Sequence, residues 1–160
     1  ATAIASNDFL AYGNLGEAYH LLSEHRVRAQ GMFAKALQLA EEERANTPND
    51  PQVVRMVAFY QARLGDKQRA LEGIRQAIAL APDNLHTLYR AGFWYEIAGE
   101  RERAIAAFER VMGAGYPARE LCTHPDLAGL RRDPRFRRVA GDTCAPYRAQ
   151  GTEPFTCPEP

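Results

Sequence analysis

The chain has little that would carry it into a membrane or onto a nucleic acid. Its longest apolar stretches, such as residues 78–82, fall far short of the about 20 residues that a helical span needs. No apolar segment of a secretory leader precedes Asn7. Charge of one sign is also missing: 20 Lys and Arg stand against 20 Asp and Glu, so no net field gathers phosphate backbones or anionic lipid, and a nucleic-acid partner is not expected. Histidine is sparse. His20, His25, His86 and His124 form no metal-binding helix pair and no dyad with Ser or Cys, so the sequence points to no catalytic residue, no metal and no cofactor. Cys122, His124 and Asp126 lie close together, yet a zinc site needs further ligands at suitable spacing. These absences turn the reading away from an enzyme.

What is present is the balance of a globular chain, 46% hydrophobic and 25% charged, in 160 residues that suffice for one domain with a working core. The chain starts Ala1-Thr2-Ala3 without a Met and is expected to be a piece of a longer protein. Self-comparison finds a period of 34 residues. Pro48, Asp50, Val54, Leu64, Gly65, Asp66, Arg69, Ala70, Leu71, Ile74 and Ala77 recur as Pro82, Asn84, Leu88, Ala98, Gly99, Glu100, Arg103, Ala104, Ile105, Phe108 and Val111. Each unit reads as a helical face, a Gly turn and a second helical face, which is a helical hairpin. Gly65 and Gly99 are expected to end the first helix of each hairpin in the left-handed conformation. The pattern predicts helices near residues 7–22, 27–46, 51–64, 67–80, 85–98 and 101–113. The second of these is lengthened, because the segment from Ala36 to Pro48 is seven residues longer than that from Ala77 to Pro82, about two helical turns.

A 34-residue helical hairpin with this pattern resembles the tetratricopeptide repeat, over roughly the first two-thirds of the chain. The first unit departs from the spacing but keeps the motif: Tyr12, Asn14-Leu15-Gly16 and Tyr19 resemble the first helix of the repeat, and Ala29, Phe33 and Ala36-Leu37 the second. The resemblance implies an all-α solenoid of three hairpins over about residues 7–46, 51–82 and 85–116. A helical cap over 117–140 would close it, and an irregular Pro- and Cys-containing tail over 141–160 would follow. Leu121, Leu127, Leu130, Phe136 and Val139 are expected to cover the last hairpin. In the family, the first helices line a groove for a peptide or protein ligand. Carried over position by position, that groove holds Asn14, Glu17 and Leu21, then Arg55, Met56, Phe59 and Arg63, then His86, Tyr89, Arg90, Phe93 and Glu96. Phe59, Tyr89, Arg90 and Phe93 are the expected anchors, since aromatic side chains and Arg carry binding energy in desolvated pockets; packing between hairpins is the alternative for part of the set. The carboxylate clamp of chaperone-binding members is not reproduced: Gly13 and Glu17 stand where it would need Lys and Asn. Trp94, at a position usually held by a small residue, is expected to pack against the cap near Leu121 and Leu127.

The stretch from Gly115-Tyr116 through His124-Pro125-Asp126-Leu127 to Asp133-Pro134-Arg135-Phe136 resembles the end of tetratricopeptide segments at the C-termini of bacterial membrane-anchored Ser/Thr kinases and winged-helix regulators. The chain has no glycine-rich phosphate loop, no His-Arg-Asp and no Asp-Phe-Gly, so the resemblance implies a regulatory segment without the catalytic domain. The basic stretch Arg131, Arg132, Arg135, Arg137 and Arg138 reads as a solvated cap helix, with contact to phosphate or an acidic partner as the alternative. Cys144 and Cys157 are the expected disulfide, tying down a Pro-rich end; Cys122 with Cys144 is the other pairing left open. A disulfide implies an oxidising compartment, the periplasm of a bacterium, against a cytoplasmic alternative with reduced thiols. The function expected is a protein- or peptide-binding scaffold in the extracytoplasmic part of a signalling protein. The alternative is a cytosolic adaptor acting through self-association or docking in a larger complex.

Overall fold

The structure, a computed structural model, describes residues 8–22, 25–116 and 119–148. The expected helix start at Asn7, the cap residue Ala118 and the tail from residue 149 onward, Cys157 included, lie outside the described residues. Among the described residues all secondary structure is helical, so the chain is all-α. The helices are α1 (Phe9–Leu21), α2 (Arg26–Asn46), α3 (Pro51–Arg63), α4 (Lys67–Leu80), α5 (Leu85–Ala98), α6 (Arg101–Gly113), α7 (Arg119–Thr123), α8 (Ala128–Arg132) and α9 (Pro134–Arg148), with a 3-10 turn at Pro125–Leu127. Two compact units divide within α5, one reaching Thr87 and the other starting at Leu88.

In the first unit, short polar side chains start the helices by accepting from otherwise unbonded backbone N–H groups. Asp8 accepts from Ala11 N at 2.9 Å, and Asp50 accepts from Gln52 N and Val53 N at 2.8 and 3.3 Å, with Pro51 in the first turn of α3. Gly65, at φ 85°, closes α3; Asp66 N then donates back to Gln61 O at 2.9 Å, and the Asp66 carboxylate caps α4. Helix α1 packs on α2, α2 on α3 and α3 on α4. These approaches are close because small residues face large ones. A Cβ on Gly16 would lie 2.6 Å from the Phe33 ring, and one on Gly13 would collide with the Tyr60 phenol. The Tyr60 hydroxyl donates to Phe9 O at 2.9 Å, and burial, aided by the charge of Asp8, raises its pKa. Around these rings Ala29, Ala36, Ala40 and Val57 complete the core. The added turns of α2 also have a use, since Arg44 donates to Gln76 Oε1 on α4 at 2.7 Å.

In the second unit the same pattern returns. A Cβ on Gly92 of α5 would lie 2.5 Å from the Phe108 ring of α6, and Gly99 at φ 87° closes α5, with Glu100 N donating to Tyr95 O at 2.7 Å. Phe108 meets Phe136 of α9 with ring centroids 6.0 Å apart. Leu121, Leu127 and Leu130 are fully buried, as the sequence suggests, whereas Val139 is half-buried. Trp94 is also buried.

Two expectations change here. The chain beyond Gly141 is not irregular at first: α9 runs to Arg148. Phe136, Ala140 and Cys144, spaced by four, are all buried, so one apolar stripe continues through the point where composition shifts. Second, Cys144 stands at disulfide distance from Cys122 of α7, with S–S 2.09 Å and Cα–Cα 5.4 Å, which replaces the expected Cys144–Cys157 pair. The physical reason is the helix itself, which points Cys144 inward toward α7 and not out along a tail.

Candidate functional site

The twelve residues assigned to a groove fall into two sets, one in each unit, and each set has its own chemistry; Leu21, in the first, is exposed. In the first unit Asn14 and His86 are exposed, while Arg55, Met56 and Phe59 are half-buried. Arg63 and Glu17 are engaged with one another. The Arg63 side chain is only 5% exposed; its Nε lies 2.7 Å from Glu17 Oε1, and its Nη2 donates to Oε2 at 2.7 Å. Arg63 Nη1 faces His20 Nε2 at 3.2 Å, so that nitrogen is the acceptor. Its carbon end sits 5.4 Å from the Phe59 ring centroid and 5.9 Å from that of Phe33. This network joins α1, α2 and α3, with Gln30 donating to Arg63 O. It is an internal fastening, since removing a ligand-seeking cation from such surroundings would strand Glu17.

In the second unit Tyr89 and Phe93 are core residues. They pack edge to face with one another, centroids 5.2 Å apart, and both pack on Phe108. Phe93 also meets the His124 ring at 5.3 Å. Both rings thus belong to the core, the packing alternative for these two positions, because spacing four apart on α5 turns them toward α6, while the Tyr89 hydroxyl reaches Glu120. Glu96 is likewise enclosed and is held by Arg101 from across the Gly99 turn, which raises the Arg101 pKa.

What remains open to a ligand centres on Arg90, whose side chain is 39% exposed. Its guanidinium lies 5.8 Å from the Tyr89 ring centroid and 3.5 Å from Glu120 Oε2. The same carboxylate oxygen accepts from the Tyr89 hydroxyl at 3.2 Å. Tyr116 stacks at a tilt over Tyr89, centroids 5.0 Å apart. Burial is the main cause raising the Tyr89 pKa, and the Glu120 charge and hydrogen bond add to it. The phenol therefore stays a neutral donor. A cation and a phenol thus converge on one carboxylate, a donor pair of the kind that can hold an anion. Glu120 had no periodic signal to mark it, and sequence reasoning missed it.

The other candidates lead inward. Arg131 donates to His124 O at 2.7 Å and to Leu121 O at 3.4 Å, and burial lowers its pKa. Arg137 donates to Arg131 O, and Arg135 pairs with Asp133 and Glu102. Most of the basic stretch is thus engaged in holding the cap. His124 Nδ1 accepts from Asp126 N at 3.3 Å, and no group of three metal-binding side chains occurs among the described residues. Among the same residues, no helix is long and apolar enough to cross a membrane. No protein-family model matches the chain, and no curated protein matches it.

Proposed function

We propose that the chain is a protein- or peptide-binding scaffold built from tetratricopeptide-type helical hairpins, serving as an extracytoplasmic interaction domain of a bacterial signalling protein such as a Ser/Thr kinase. The observation that carries the reading is the 34-residue period together with its structural echo. Gly65 and Gly99 take left-handed φ of 85° and 87° at matching positions, each followed by the same backward hydrogen bond. The stacking of hairpins into one solenoid belongs to this reading and rests on the repeat pattern. The half-exposed Arg90 supplies a contact for a ligand, and the Cys122–Cys144 pair favours an oxidising compartment.

Selection from a displayed random-peptide library tests the reading. Peptides enriched on the chain and lost on Arg90→Glu are the expected outcome. Enrichment that Arg90→Glu leaves intact would move the site away from Arg90 and keep the scaffold. A library that yields nothing above background would sink peptide binding itself.

A further inference from the structure

We infer that Glu120 is a resident competitor: Arg90 and Tyr89 form a receptor for the acidic side chain of a peptide, and α7 fills it with its own glutamate until such a peptide displaces it. The inference rests on the peptide-binding reading and deepens it by naming the ligand chemistry and the regulation of the site.

Three observations carry it. First, the carboxylate is placed as a ligand would be: one oxygen receives the Tyr89 hydroxyl at 3.2 Å while Arg90 stands 3.5 Å away. Second, the occupant is loosely held compared with the enclosed carboxylates Glu96 and Asp133. Glu120 is 52% exposed, against 7% for Glu96 and 10% for Asp133, so a rotamer change suffices to withdraw it. An ion pair that exposed is weak, because water and salt screen it. Third, the receptor is rigid. The Tyr89 ring is 4% exposed and wedged among Phe93, Phe108 and Tyr116, so its hydroxyl cannot follow a departing partner. Exchange of Glu120 for another carboxylate leaves every polar group satisfied, whereas withdrawal without replacement leaves Tyr89 and Arg90 to water. The backbone of α7 need not leave for this. Leu121 is fully buried and Cys122 is tied to Cys144, so the helix stays while the side chain turns. The resident is a side chain, and the receptor is accordingly assigned to side-chain carboxylates and not to a chain terminus.

The test compares the chain with Glu120→Gln and with the double variant Glu120→Gln, Arg90→Gln. The probes, by titration calorimetry at low salt, are a short acetylated and amidated peptide of alternating Glu and Ala, its Gln counterpart, and an all-Ala peptide with a free C-terminus. Glu120→Gln should bind the acidic peptide about fivefold or more tightly than the parent. The gain should vanish in the double variant and be absent with the Gln peptide. Equal affinity of parent and Glu120→Gln, a gain that survives Arg90→Gln, or binding of the free-terminus peptide alone would each overturn the proposal. Circular dichroism confirms that the variants are folded; if Glu120→Gln is not, Glu120→Ser at the same exposed position replaces it. The library selection reports on the scaffold separately. Selected peptides that ignore Glu120→Gln would remove the competitor and leave the scaffold standing.

Discussion

At the scale of single residues, glycine has two opposite roles in this chain. Gly31 lies in the second turn of α2, exposed, with nothing within 4 Å of where its Cβ would be, so it only loosens the helix. Gly92 is the notch that receives the Phe108 ring. Gly31→Ala should therefore stabilise the chain by about 0.5–1 kcal/mol through helix propensity. Gly92→Ala gains the same propensity but forces a fully buried ring to move, and overpacking of about 1–3 kcal/mol should win. Urea unfolding midpoints should shift in opposite directions. A Gly92→Ala midpoint at or above that of the parent would show that the ring has room to give. Residue identity alone does not distinguish the two glycines; what does is the partner across the hairpin, which the 34-residue period aligns with Ile74.

The elements were largely legible. Helices α3 to α6 agree with the predicted ranges within a residue, because Asp50-Pro51, Gly65-Asp66 and Gly99-Glu100 are strong local punctuation. The groove was much less so. Periodicity assigns a residue to a face, but Tyr89 and Phe93 share a face that α6 covers, and Glu17 meets Arg63 from a different helix. Contacts of that kind depend on helix approach and leave no trace in spacing. The start of α9 shows what local chemistry does supply. Asp133 Oδ1 accepts from Arg135 N at 2.9 Å, and its carboxylate pairs with the Arg135 guanidinium. These hydrogen bonds lower the Asp133 pKa to about 2. A carboxyl depressed in the folded state contributes stability that is present above its unfolded pKa, about 4, and lost as pH falls toward 2. The stability difference between the parent and Asp133→Asn should accordingly be constant near neutrality and shrink between about pH 4 and 2. A difference unchanged down to pH 2 would show that capping does not depend on the charge.

For the molecule as a whole, the decisive covalent choice was invisible in sequence, since Cys144 has a candidate partner on either side of it. Pairing with Cys122 closes a loop with a sequence separation of 22, and losing it should cost about 3 kcal/mol of stability. Cys122→Ser and Cys144→Ser should lower the unfolding midpoint by the same amount in oxidising buffer, and dithiothreitol should bring the parent to that level. Cys157→Ser should leave the midpoint alone. A loss on Cys157→Ser equal to that of Cys144→Ser would restore the tail pairing and remove the covalent tie that holds α7, and Glu120 with it, in place.

The notches have a further consequence for how such a chain can vary. In two hairpins Gly on the first helix receives Phe from the second, Gly16 with Phe33 and Gly92 with Phe108; in the hairpin of α3 and α4 the glycine is on the second helix, where Gly73 faces Ala58. The distance between helices is thus held by a sum of sizes and not by either size alone. Each couple behaves as a single heritable character. A drifting sequence can exchange one solution for another only by passing through a mismatched intermediate, with a clash on one route and a void on the other.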